Sequence, residues 1–261
     1  MLIPKNRWTK IKSIILISFS LAKSNFTLRT EGSYLGNLWY LLNPLVSFAL
    51  ILFIRQTAFI DTGIKDYPVY LFMGIAGLNF FRQATVNSIR AITGNVDYIK
   101  SMNSIAPEVL VVSAVFQAAL SHISELVIII GFLVYWHIPL TGLLFYPLIF
   151  AVFFCLVIGI SLIFATIGVY ITDLDNVWTI FTQLLFLVTP IFYAVTAGSR
   201  VYIANLANPL FYFLEISRRV VIYSSCPPLW MIVAMLIFSI VLFSAGCFIF
   251  NRYKKRFAEL V

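Results

Sequence analysis

Residues 140–171 read LTGLLFYPLIFAVFFCLVIGISLIFATIGVYI, from Leu140 to Ile171 without one charged side chain. About 20 apolar residues suffice to cross a hydrocarbon layer ~30 Å thick. A surface helix of a soluble protein would carry a polar stripe along such a length; this segment has none. It belongs in a bilayer, and its excess over one crossing implies tilt or protrusion.

Outward from this run, the rest of the chain repeats the pattern. Apolar segments cover about 37–59, 68–90, 108–135, 176–196 and 228–250, so with 140–171 the sequence predicts six spans. The chain is 61% hydrophobic and only 11% charged, with a mean hydropathy of +0.98. Soluble domains carry about 25% charged residues, and no water-soluble globule could hide this much apolar surface. The fold class is therefore an all-α integral membrane protein, read as one domain over 1–261. An interfacial helix (1–34) precedes the six-span bundle (37–250), and a basic tail (251–261) follows it.

The net charge of +8 does not point to nucleic acid, because the basic residues flank the apolar runs. With the N-terminus inside, Lys5, Arg7, Lys10, Lys12, Lys23, Arg29, Arg82, Arg90, Lys100, Arg252, Lys254, Lys255 and Arg256 all fall on the inner side. Only Arg55, Lys65, Arg200, Arg218 and Arg219 fall outside. The positive-inside rule then places both termini in the cytoplasm. Three cysteines without C-x-x-C spacing give neither a disulfide framework nor a metal site.

At the N-terminus, Trp8, Ile11, Ile15, Phe19 and Ala22 share one helical face, and Thr9, Lys12, Ser13, Ser20 and Lys23 the other. The pattern predicts an amphipathic helix lying along the membrane surface. The same stretch, basic and then apolar, also has the outline of a signal peptide with Ser20-x-Ala22 as its cleavage site. Residues 201–223 are too short and too charged for a comfortable span. Asn208 and Pro209 suit a helix start, and Glu215 and Arg219 stand four apart, ready to pair. This predicts an outer-side re-entrant hairpin between spans five and six, of a kind tolerated only against protein or a water-lined cavity. It is a candidate outer gate, comprising Pro190, Tyr193, Asn208, Pro209, Tyr212 and Arg218.

His122 and Glu125 lie three apart inside the third span. Ionisable groups there are costly. They serve either as helix–helix glue or as a proton relay; two ligands are too few for a metal. Asp173 and Asp175 precede the fifth span, where the helix dipole favours carboxylates and capping is their expected role. No G-x-x-x-x-G-K-[ST] phosphate loop occurs.

Four motifs in order complete the reading. Leu35-Gly36-Asn37-Leu38-Trp39 with Leu42-Asn43-Pro44-Leu45, Asp173-Leu174, Thr189-Pro190-Ile191-Phe192-Tyr193, and Asn208-Pro209 resemble elements of the polysaccharide-export permeases. These are the type-2 ABC exporters of O-antigen, capsule and teichoic acid (Wzm-like). Thr172 departs from the family pattern, which has arginine before Asp173-Leu174. The resemblance implies a homodimer in the bacterial inner membrane, moving a lipid-linked polysaccharide and driven by a separate pair of ATPase subunits that bind ATP and Mg. The chain itself would hold no cofactor and no metal and would catalyse nothing. The resemblance also implies an ATPase-coupling element at Asp97, Tyr98, Ile99, Lys100 and Met102. A cytoplasmic gate or substrate entry is implied at Tyr34, Gly36, Trp39, Tyr40, Asn43 and Pro44. Two rival readings stay open: an ion-coupled secondary transporter, which the His122–Glu125 pair would serve, and an integral membrane enzyme modifying lipids or sugars.

Overall fold

The computed structural model describes residues 7–28, 38–57, 63–96 and 106–257. These contain α1 (Arg7–Leu28), α2 (Leu38–Thr57), α3 (Tyr67–Ile89), α4 (Pro107–Tyr135), α5 (Tyr146–Gly168), α6 (Leu174–Val188), α7 (Arg200–Asn205), α8 (Pro209–Val221) and α9 (Leu229–Tyr253). No strand occurs among the described residues. Among the described residues, three helical stretches can cross a membrane by length and composition: Pro107–Tyr135, Leu140–Gly168 and Leu229–Arg256. The charge-free run divides into a 3-10 turn, Leu140–Phe145, and the α5 helix, with Pro147 in the first turn of α5.

The bundle is built around α3. Almost every residue of this helix is buried, and α2, α4, α5, α6 and α8 all pack against it. Its polar residues Asn79, Arg82 and Gln83 make it less apolar than α2, α4, α5 and α6. Protein, not lipid, surrounds most of it, so these groups can find partners. Aromatic rings fill the space between α3, α5 and α8, where Phe153 and Phe213 stack with centroids 4.0 Å apart and Phe80 lies 5.7 Å from Phe153.

α5 and α9 form the closest pair. A Cβ on Gly246 would collide with the backbone of Gly159, and one on Gly159 with the backbone at Leu242. Small residues allow this backbone approach, which is how helices associate where lipid removes the hydrophobic drive. Ser239 adds a hydrogen bond to the Val152 carbonyl, 2.8 Å.

α1 lies along α4. The Ser18 hydroxyl donates to the Val109 carbonyl, 3.2 Å, and Phe19 meets Phe116 edge-on. The apolar face of an interfacial helix belongs in lipid, and most of this one is turned away from the bundle. Ser18 and Ala22 are the buried residues, whereas Ile11, Ile15 and Phe19 are each close to half exposed. Small side chains let α1 approach α4, and the bulky apolar ones turn outward to the medium.

The fifth apolar segment also ends earlier than its hydropathy suggests. α6 stops at Val188, and Thr189 is extended (φ −74°, ψ 136°). Proline disfavours helical backbone in the residue before it, so Thr189-Pro190 terminates the helix instead of interrupting it. The segment 201–223 is two helices, α7 and α8. The 13 residues of α8 rise only ~20 Å, too little for a ~30 Å hydrocarbon layer.

Candidate functional site

Polar side chains concentrate at three levels of this apolar bundle. The first is where α6 ends. Arg218, on α8, is 1% exposed. Its Nη1 donates to the Pro190 carbonyl (2.7 Å), and its Nη2 donates to the carbonyls of Ile191 (3.0 Å) and Tyr70 (3.1 Å). The guanidinium also lies 3.5 Å from the Tyr70 ring centroid. Gly74 makes room for it, since a Cβ there would strike Nη2. Tyr67 donates to the Phe192 carbonyl (2.9 Å) and Tyr70 to that of Tyr193 (3.0 Å). The Tyr193 hydroxyl returns to the Val188 carbonyl (2.6 Å).

Asn208 caps α8 by accepting from Leu210 N–H and also donates to Thr189 Oγ1 (2.9 Å). Asn205 donates to the Val188 carbonyl (3.0 Å). Thr189 makes the last ladder bond, to the Leu185 carbonyl (2.8 Å); the segment 190–193 beyond it has left the helix and is held by side chains from α3 and α8. Proline at the first position of α8 costs no hydrogen bond. Glu215 and Arg219 pair at 2.7 Å, as their spacing predicts. Beyond α8, burial pushes the Tyr223 hydroxyl above its ordinary range, and it donates to the Lys65 carbonyl (3.3 Å).

The second level lies inside the bundle. Asn79 donates to Glu125 Oε1. Glu125 Oε2 faces His122 Nδ1 at 2.8 Å, and His122 Nε2 faces the Tyr146 hydroxyl at 2.7 Å. Arg82 reaches the Asn79 oxygen from α3 (3.3 Å). The two ring nitrogens of His122 thus bridge the Glu125 carboxylate and the Tyr146 hydroxyl. His122 and Glu125 are each 1% exposed. The network joins α3, α4 and α5. Two of its members, Asn79 and Tyr146, carry no signal in a linear reading, because a lone Asn or Tyr is commonplace.

The third level is the end of the bundle where α3 finishes and α4 and α6 begin. Arg90 and Asp175 form an ion pair, and Trp178 Nε1 donates to Thr85 Oγ1 (2.8 Å). Together they fasten the start of α6 to the end of α3. Lys254 reaches Glu108 at 3.3 Å, and Phe257 is buried against Phe250. The capping role expected of the two aspartates is not what they do. The Asp173 side chain makes no capping bond, and Asp175 turns to Arg90, whose full opposite charge outweighs the partial charge of a helix end.

Of the sequence-derived outer-gate residues, Pro190, Tyr193, Asn208 and Arg218 gather around the end of α6. Pro209 opens α8. Tyr212 points elsewhere and donates to the Leu206 carbonyl (2.8 Å). Of the entry residues, Trp39 is half exposed, Asn43 exposed and Pro44 buried. Tyr34 and Gly36, the side chain of Tyr40, and the whole coupling set Asp97, Tyr98, Ile99, Lys100 and Met102 lie outside the described residues. Among the described residues no three His, Cys, Asp or Glu side chains gather as a metal site.

Comparison with known proteins gives one consistent result. The family model described as "ABC-2 type transporter" matches residues 18–222. The chain is 28% identical over 244 residues to an O-antigen export system permease protein RfbA of Klebsiella pneumoniae, covering 92% of this chain and 93% of that one. It is 23% identical over 249 residues to the protein of that name from Myxococcus xanthus, covering 93% and 94%.

Proposed function

Because this chain belongs to the ABC-2 type transporter family, we propose that it is the transmembrane subunit of an ATP-driven exporter. Its cargo is a lipid-linked, O-antigen-like polysaccharide, and its site is the bacterial cytoplasmic membrane. Two copies form the permease, and a separate pair of ATPase subunits binds ATP and Mg. α2, α3, α4, the stretch 140–168, α6 and α9 serve as six spans, with both termini cytoplasmic. α1 rests at the inner interface. α7 and α8 dip in from the outer side as a re-entrant hairpin.

The observation that carries the reading is the family match across 18–222 in a chain with no phosphate-binding loop of its own. A permease of this kind needs ATP hydrolysis delivered by another polypeptide. The segment 97–102 begins seven positions after Arg90 and is the coupling element. The Arg90–Asp175 pair then passes its movement to α6.

Two helix faces support the homodimer and the glycan path. On α2, Trp39, Val46, Leu50 and Phe53 are exposed, together with Asn43 and Ser47. On α6, Val177, Ile180, Phe181, Leu184 and Leu187 are exposed, together with Asn176 and Gln183. Polar groups facing hydrocarbon are costly. A second copy and a hydrated path between the copies remove that cost. Aromatic and amide side chains offer ring faces and hydrogen bonds to a sliding sugar polymer. Trp39, Asn43 and Pro44, with Tyr34, Gly36 and Tyr40, form its cytoplasmic mouth. The residues pinned by Arg218 form its outer gate.

The test is export of labelled glycan from vesicles. Vesicles holding permease and ATPase export only with ATP. Export by the permease alone refutes the reading. The His122–Glu125 pair supports a cohesive role over a proton relay, since both of its partners are buried side chains from neighbouring helices.

A further inference from the structure

A cleft of about 600 Å³ opens where α1, the end of α3, the start of α4 and the start of α6 meet. It follows α4 from Leu110 to Gln117, about 10 Å at the helical rise. Its polar side chains include Asn25, Asn87, Arg90, Asn95, Gln117 and Asp175, while the Ser113 hydroxyl is spent on the Leu110 carbonyl. Such a lining is unusual for an apolar bundle; it shares the Arg90–Asp175 pair with the proposed coupling route but none of the gate residues and none of 97–102.

We propose that this cleft binds the sugar headgroup of a lipid-borne glycan in the inner leaflet. The inference rests on the exporter reading and gives its cargo a docking site. The chemistry of the lining carries it. The side-chain amides of Asn25, Asn87 and Gln117 make no hydrogen bond among the described residues, whereas Asn95 is committed to the Ala91 carbonyl. Each amide offers both donors and an acceptor, matching hydroxyls that are donor and acceptor at once. Asp175 is 7% exposed, and its Oδ1 is buried without a partner while the carboxylate pairs with Arg90. A buried acceptor of that kind is costly unless something donates to it, and a sugar hydroxyl does so.

The Arg90–Asp175 pair leaves the lining close to neutral, which favours polyhydroxy groups over a bare phosphate. The wall formed by α1 points to a lipid source. Leu21 and Asn25 face the cleft, while Ile11, Ile15, Leu16 and Phe19 stay exposed. A lipid tail can lie along these apolar residues with its headgroup in the cleft. A free sugar gains nothing from them.

The experiment uses the full-length chain in phosphatidylcholine nanodiscs and three probes bearing the same diazirine. These are a diacylglycerol with a disaccharide headgroup, phosphatidylglycerol, and the free disaccharide. After photolysis, the expected result is saturable labelling of peptides covering 86–95 and 110–117 by the glycolipid alone. Asn87→Leu with Gln117→Met, near-isosteric and apolar, removes two hydrogen bonds and weakens labelling about tenfold. If that variant does not reconstitute, Asn25→Leu on the peripheral helix carries the same expectation. Equal labelling by phosphatidylglycerol or by the free disaccharide overturns the proposal, and so does undiminished labelling of the variants. Wild-type export with ATP tests the exporter reading separately. Export by the wild type with normal labelling and export in the variants sinks the docking site and leaves that reading standing. Labelling as expected without any ATP-driven export does the reverse.

Discussion

Replacing Arg218 by methionine should free the segment that follows α6 without unfolding the bundle. Methionine keeps roughly the length of the side chain but supplies no donor. Three contacts go: to Pro190 O (2.7 Å), Ile191 O (3.0 Å) and Tyr70 O (3.1 Å). Tyr70 lies within α3, so its carbonyl keeps a helical partner. The carbonyls of Pro190 and Ile191 lie outside any helix. Pro190 retains only the Tyr70 hydroxyl at 3.4 Å. Stranding a buried carbonyl costs about 1–3 kcal/mol, so two cost roughly 4 kcal/mol at mid-range. Relief of the buried cation's desolvation returns part of this, leaving about 2–3 kcal/mol. That predicts amide exchange across 189–199 accelerated about thirty- to a hundred-and-fiftyfold when local opening governs exchange. The assay is hydrogen exchange by mass spectrometry in nanodiscs, with the peptides of α4 as the internal reference. Arg219→Gln breaks only a half-exposed pair, worth under about 1 kcal/mol, and should leave 189–199 unchanged. Unaltered exchange of 189–199 in Arg218→Met, with α4 also unchanged, would show that the guanidinium does not hold this segment.

Other outcomes follow from the same geometry. Gly246→Leu pushes α9 off the Gly159 backbone and should cost about 1–3 kcal/mol as an overpacked contact, read as a lower midpoint in thiol-dye unfolding; Gly131→Leu, which has open space around it, should not. Glu125→Ala leaves Asn79 and His122 without their carboxylate partner and should destabilise by about 2–5 kcal/mol, while Glu125→Gln retains export. Loss of export in Glu125→Gln at unchanged stability would favour proton coupling over cohesion. Exchanging the charges at Arg90 and Asp175 should restore export that either single reversal removes, as measured in ATP-loaded vesicles; no rescue argues against transmission through the pair. Tyr98→Ala with Ile99→Ala should abolish export and leave the unfolding midpoint in place, and retained co-purification of the ATPase at wild-type levels would count against these residues as its contact.

Much of the architecture is written in the linear sequence. Apolar runs place the helices α2 to α6 and α9, and among the described residues Pro107–Tyr135, Leu140–Gly168 and Leu229–Arg256 have the length and composition that a hydrocarbon layer demands. Asn208-Pro209 marks the start of α8, and the Glu215–Arg219 spacing gives its ion pair, since capping and i,i+4 contact are local. Which side of each helix meets protein is not written there. In water an apolar stripe identifies the buried face. In a bilayer lipid tails are as apolar as leucine, so hydropathy no longer separates core from surface. For that reason α3, which carries Asn79, Arg82 and Gln83 among its apolar residues, is the centre of the bundle. For the same reason α1 packs through Ser18, Ala22 and the edge of Phe19, while Ile11 and Ile15 of the same stripe stay exposed. Arg218, counted along the chain as one outer charge, becomes the pin of the segment after α6. Arg90 and Asp175, 85 positions apart in the sequence, meet only because α6 folds back along α3, and tertiary packing alone brings them together.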